Sequence, residues 1–190
     1  MAAPLAQQIL LSAHPSTPSE AIGALEVRVQ AHTNNTLSLA YRLRADMARI
    51  RLPGPSASAT QARGRADELW KHTCFEAFIT QPGASDYDEL NFSPDGQWAA
   101  YHFSGYREGM SPLELAVPPG ISVRRSPDRV ELDARVQLSR PLAGGLLKLA
   151  LCAVIEEHSG TLRYWAARHP PGQPDFHHRD GYVVELTGGP

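Results

Sequence analysis

The chain has 190 residues, enough for one well-packed core and short for two. Hydrophobic residues make up 42% and charged residues 20%, and 18 basic against 20 acidic side chains leave a net charge of −2, so no global field recruits nucleic acid or an anionic membrane. Two cysteines make no disulfide framework, and no run approaches the ~20 apolar residues of a membrane-spanning helix.

Residues 1–22 are rich in Ala, Ser and Pro and read as a leader or an added edge segment ahead of a single domain over 23–190. The short apolar run at 9–11 lacks a basic flank before it, so export is not expected and a cytoplasmic location is. Arginine supplies all basic residues but Lys71 and Lys148, which reads as the codon bias of a bacterial source rather than as phosphate recognition. Leu25, Val27 and Val29 alternate with Glu26, Arg28 and Gln30, and after His32-Thr33-Asn34-Asn35 a second run places Leu37, Leu39, Tyr41 and Leu43 on one face. That pattern predicts a β-hairpin, with the Asn34-Asn35-Thr36 sequon as its polar tip. Residues 47–52 extend the sheet, and 53–66, without a large apolar side chain, are a solvated loop that can rim a ligand site.

Residues 70–103 carry the densest signal. Thr73, Phe75, Ala77 and Ile79 alternate with His72, Cys74, Glu76 and Phe78; then Leu90 and Phe92 oppose Tyr87, Glu89 and Asn91. Ser93-Pro94-Asp95-Gly96 closes a hairpin. On the return strand, Ala99, Tyr101 and Phe103 read as the core face. Trp98 and His102 then share the outward face with Glu76, Glu89 and Asn91.

Strands follow at 113–117, 121–125 and 130–137, then a turn at 141–145. A nearly all-apolar strand at 146–156 suits a sheet centre, with a hairpin partner at 161–167 and a closing strand at 182–186. Helical periodicity is not sustained in any window. The fold expected is all-β: an antiparallel β-sandwich, jelly-roll or immunoglobulin-like, of about 9–11 strands.

Three constellations carry chemistry. Trp70, Trp98 and Trp165 offer apolar plates for sugar rings, although most Trp are core residues with one satisfied N–H, and the strand bearing Trp165 could turn either face inward. Asp175-Phe176-His177-His178-Arg179-Asp180 looks like a set of metal ligands. Adjacent His residues on extended chain point opposite ways, though, so a structural loop whose Asp and His cap backbone groups is the simpler reading; no metal site is expected. Glu76 and Glu89 on one face form the carboxylate pair that glycoside hydrolysis uses, but no nucleophile elbow, zinc-protease motif or P-loop accompanies them. Whether the chain is an enzyme stays open, with binding the favoured reading.

The order of pieces resembles DOMON-like proteins and family-nine carbohydrate-binding modules. The pieces are Asp67-x-x-Trp70, then Phe75-Glu76-Ala77-Phe78-Ile79, then Tyr87-x-Glu89-Leu90-Asn91-Phe92-Ser93-Pro94-Asp95-Gly96, and in the tail Arg163-Tyr164-Trp165 with Pro174-Asp175-Phe176-His177. The resemblance implies a two-sheet sandwich holding a small ligand, a sugar, on one sheet face. It makes Trp70 and Trp165 the stacking pair and Glu76 the best-matched polar contact, with Lys71, Asn91 and Arg163 beside it. From the residues themselves, Glu89, Trp98 and His102 join the candidate ligand-binding set. No cofactor is required; haem b, offered through Met110 and His102 as in DOMON-like relatives, and calcium from loop oxygens are the alternatives.

Overall fold

In the computed structural model of the chain, the residues described are 6–32, 34–54, 64–139 and 145–187. Most of the expected loop at 53–66 and of the turn at 141–145 lies outside them. Twelve strands form: β1 (Gln7–Ala13), β2 (Ile22–Ala31), β3 (Thr36–Ala45), β4 (Cys74–Thr80), β5 (Tyr87–Phe92), β6 (Trp98–Phe103), β7 (Ser111–Pro112), β8 (Gly120–Ser126), β9 (Arg129–Gln137), β10 (Leu146–Glu156), β11 (Leu162–Ala166) and β12 (Val184–Thr187). Every pairing between them is antiparallel, in the order β7-β6-β5-β4-β10-β11-β1-β2-β3-β9-β8, with β12 also on β10.

This ribbon curls into two layers. The first sheet holds β1, β2, β3, β9 and β8, and the second holds β4, β5, β6, β7, β10, β11 and β12. Strand β1 joins them, because Gln7 to Leu11 pair with β2 while Ser12 and Ala13 pair with β11. Residues 7–13 are therefore internal to the sheet path, not the added edge that their Ala- and Ser-rich surroundings suggested. One part of the strand pairs with each sheet, a role composition alone does not reveal. Strand β7 is only two residues long, with one further bond from the Leu113 N–H to the Ala100 carbonyl at 2.9 Å, and the expected strand at 113–117 does not form. Residues 47–52 contribute only a bridge from Ile50 to Glu157.

Between the layers lies the main core. Val27, Leu39, Tyr41 and Leu132 from the first sheet meet Phe75, Ala77, Phe92 and Leu151 from the second. Tyr41 is fully buried, stacks obliquely on Phe75 with ring centres 5.0 Å apart, and donates its hydroxyl to the Glu76 carbonyl at 2.7 Å. A phenol oxygen in an apolar core needs such a partner.

The second sheet is buried on its other face too. Every residue of β5, and all of β4 except Thr80, is buried, and Cys74, Phe78, Tyr87, Tyr101, Phe103 and Cys152 form a second apolar cluster beneath surface loops. Both cysteines are free thiols within it or at its edge.

Two hairpins decide which side chains face which cluster. At Ser93 to Gln97 and at Glu157 to Thr161 the strands are closed by three-residue loops, with bonds Gly96 N–H to the Ser93 carbonyl at 2.9 Å and Gly160 N–H to the Glu157 carbonyl at 2.8 Å. The third loop residue is a glycine in the left-handed region, φ 91° at Gly96 and 83° at Gly160. This sets Phe92 opposite Trp98 and Ala153 opposite Trp165. A two-residue turn over Pro94-Asp95 would have shifted the register by one and turned every side chain of β6 over.

Replacing Gly160 by Ala tests this geometry cleanly, since nothing lies within 4 Å of a Cβ placed there and only the backbone conformation resists it. Thermal unfolding is expected to show Gly160→Ala destabilised by about 1 kcal/mol, a fall in Tm of roughly 2–4 °C. Gly120→Ala, equally open and without a positive φ, is expected to stay within about 0.5 kcal/mol of the parent.

Candidate functional site

A cleft of about 460 Å³ opens on the outer face of the second sheet. Its floor is the sheet, where Cα pairing lines up Asn91, Glu76 and Cys152 across β5, β4 and β10, and Glu89 and Phe78 in the next row. Its walls come from loops: Trp70 and Lys71 from residues 64–72, Arg107 and Met110 from 104–110, Phe176 and His177 from 167–183, with Tyr164 of β11 beside them.

The loop chain is braced at each wall. Trp70 sits in a single 3₁₀ turn (Leu69–Lys71) entered through Glu68 in the left-handed region. Asp67, three residues earlier, accepts the Tyr101 hydroxyl at 2.6 Å, and the Trp70 indole meets the Tyr101 ring edge-on at 5.9 Å. Trp70 is thereby held half-buried with part of its plate open. Opposite, Asp175 accepts from Arg107 Nη2 at 2.8 Å and from the Tyr106 hydroxyl, and its Oδ1 also takes the His177 N–H at 3.1 Å. His178 Nδ1 accepts the Asp180 N–H at 3.2 Å. These are the capping roles expected of the loop's Asp and His.

Burial controls the charge of the floor. Glu76 is 2% and Glu89 5% exposed. Removal from water holds the Glu76 carboxyl well above the usual range, the nearby charge of Glu89 adds to this, and the Cys74 thiol opposes it. Glu89 is pushed up to about 7, chiefly by burial, against the opposing pull of the Asn91 amide and the Arg107 guanidinium. The two interact, so they titrate as a pair. Asn91 Nδ2 donates to Glu89 Oε1 at 2.7 Å, while Glu76 Oε1 and Asn91 Oδ1 are buried with no partner among the described residues. Buried polar atoms are rarely left so.

His177 is also neutral, because burial, and then the Arg107 charge, push it down to about 4. The Tyr87 hydroxyl accepts the Arg107 N–H at 3.2 Å and lies 2.7 Å from His177 Nδ1. The phenol and the imidazole thus share one hydrogen bond, and the other ring nitrogen, Nε2, is left for a ligand.

Of the residues expected from sequence, Trp70, Lys71, Glu76 and Glu89 line the cleft, and Asn91 lies directly behind Glu89. Four others are elsewhere. Trp98 and Trp165 are buried in the main core, 7% and 8% exposed, because both hairpin registers turn them inward; Arg65 stacks over Trp98 at 5.5 Å. The expected stacking pair Trp70 and Trp165 is therefore not assembled. Arg163 shares the Trp165 face and forms a forked ion pair with Glu157, both bonds at 3.0 Å. His102 follows Trp98 to the inner side and bonds Asp88 at 2.8 Å, while Met110 stands at the cleft, so the pair offered for haem is not brought together. Correspondingly, Ala99, Tyr101 and Phe103 face the loop-covered side and not the main core.

Sequence reasoning missed Tyr164, Phe176, His177 and Arg107 as cleft residues. For Tyr164 a signal existed: the five residues between Glu156 and Leu162 place it on the face opposite Trp165. The other three are carried by loops, where periodicity says nothing.

No family model and no curated protein matches the chain. Among solved structures, a protein from Bacteroides uniformis to which carbohydrate binding has been ascribed aligns over 94% of this chain and 84% of its own, with a TM-score of 0.68 at 15% identity. Two structures of a family-nine carbohydrate-binding module from Caldicellulosiruptor kristjanssonii align over 88% of this chain with a TM-score of 0.50. One is in complex with cellotriose, at 12% identity and 75% of its chain, and the other with glucose, at 13% and 76%. The chain is thus similar in fold to family-nine carbohydrate-binding modules.

Proposed function

We propose that this protein binds a small saccharide in the cleft over the second sheet. The observation that carries the reading is the cleft's composition: a half-buried, braced Trp70 plate stands beside a buried carboxyl with an unpartnered oxygen, Glu76 Oε1. A sugar ring has apolar C–H faces and a rim of hydroxyls, each both donor and acceptor. Its face lies against Trp70, with Phe176 and Tyr164 adding aromatic area, and its hydroxyls meet Glu76, Glu89, Lys71 and His177 Nε2. The shared fold with modules seen holding glucose and cellotriose supports this assignment. Trp165 has no part in it.

Calorimetric titration with glucose, galactose, cellobiose and cellotriose tests the proposal. At least one is expected to bind saturably, and Trp70→Ala to weaken it about tenfold, some 1.4 kcal/mol, while Trp165→Phe leaves affinity within about threefold. Absence of binding across the panel, or wild-type affinity in Trp70→Ala, contradicts it.

The floor adds a pH dependence. Sugar hydroxyls donate more strongly to a carboxylate than to a neutral acid. Because Glu89 ionises near 7 in the free protein, affinity is expected to rise as pH goes from 5.5 to 8.5, by up to about tenfold, with proton release on binding. Glu89→Gln, which keeps the acceptor for Asn91, is expected to flatten the profile. The same slope in both proteins removes Glu89 from the role.

A further inference from the structure

A second cavity of about 250 Å³ adjoins the first, with His177 in the lining of both. It is walled by the turn at residues 80–85 and by Tyr87, Tyr106 and Tyr182, two cations, Lys148 and Arg179, reach it, and no carboxylate is among the described residues that line it. The balance differs from that of the main cleft, whose floor is the Glu76 and Glu89 pair.

Three observations mark it as a built site. Tyr182 is 9% exposed, and its hydroxyl is buried without a partner among the described residues. Arg179 has no carboxylate partner among the described residues; its one bond is to the Ala84 carbonyl at 3.4 Å, at the limit of a hydrogen bond. Lys148 is held at the cavity by Glu185 on the neighbouring strand, Nζ to Oε1 3.2 Å, with its side chain 38% exposed and able to turn. A guanidinium, an ammonium and a buried phenol around a cavity of one hexose unit's size suit a ring that carries an anion.

We propose that this cavity is a second subsite that takes a negatively charged sugar unit, so that the full ligand is an acidic disaccharide or longer chain with its neutral unit in the cleft and its anionic unit beyond His177. This rests on the saccharide reading of the cleft. Arg179 and Lys148 bond the anion, Tyr182 donates to it or to a ring hydroxyl, and Tyr106 covers the unit from the solvent side, where it is 51% exposed. A carboxylate at C6 and a phosphate ester both meet this description.

Calorimetry on the intact protein separates the possibilities, with cellobiose, cellobiuronic acid, glucose, glucuronate and glucose 6-phosphate as probes. The acidic disaccharide is expected to bind at least tenfold more tightly than cellobiose in low salt, and the gap to narrow as salt is raised. Arg179→Gln and Lys148→Gln are each expected to shrink that gap to threefold or less while leaving cellobiose affinity unchanged. A stronger gain for glucose 6-phosphate than for glucuronate assigns a phosphate as the anion, and the reverse assigns a carboxylate. Equal affinity for cellobiose and cellobiuronic acid, or a preference that survives Arg179→Gln, overturns the subsite and leaves the cleft reading standing. Acidic sugars that bind through Arg179 while no neutral sugar binds uphold the subsite and overturn the neutral cleft; no binding by any probe overturns both.

Discussion

The register of the second sheet is the constraint from which the site follows. A strand's side chains alternate between two environments, and here both are buried: one is the core between the sheets, the other the floor of a loop-covered cleft. The three-residue loops ending at Gly96 and Gly160 settle the alternation for β6 and β11. Through them Trp98 and Trp165 become core, and Phe103 and Tyr164 become site. A single residue more or less in either loop would exchange these roles.

Burial on both faces also creates the chemistry. Glu76 and Glu89 would be ordinary surface carboxylates on an open sheet, ionised and solvated. Under the loops they lose water, which raises both carboxyls above the usual range, and the Glu89 charge raises Glu76 further. The protein tolerates this because Tyr41 anchors the β4 backbone from below at Glu76, and Asn91 satisfies part of Glu89. The oxygen left without a partner among the described residues at the cleft, Glu76 Oε1, is the one that a polyhydroxyl ligand would satisfy on the proposed reading. His177, kept neutral by burial and oriented by its bond to Tyr87, adds a ring nitrogen beside the acid pair.

Most of the fold was legible because its strands alternate and its turns are marked by Gly, Pro, Asp and Asn. The hairpin of β2 and β3, the central β10 and the all-antiparallel class follow from those patterns. The half of the site on regular structure was legible too: Glu76 and Glu89 share a face whatever the neighbouring turns do, since β4 and β5 each carry their own apolar alternation. Trp98 and Trp165 misled because composition does not count turn residues, and Ser93-Pro94-Asp95-Gly96 reads equally as a two-residue or a three-residue loop. β1 was obscured by its exposed Gln8, Leu10 and Ser12, which hide the fact that its backbone links the two sheets, pairing with β2 and then with β11. Arg107, Phe176 and His177 come from loops whose position only the folded chain defines.

The most direct measurement of the central claim uses the three indole N–H signals of the 15N-labelled protein, one each from Trp70, Trp98 and Trp165, followed by NMR during titration with cellobiose. The account predicts that the Trp70 signal moves progressively and saturably while those of Trp98 and Trp165, sealed in the core, stay within a linewidth of their starting positions. A Trp165 signal that moves as far as that of Trp70, or a Trp70 signal indifferent to a sugar that demonstrably binds, would contradict it.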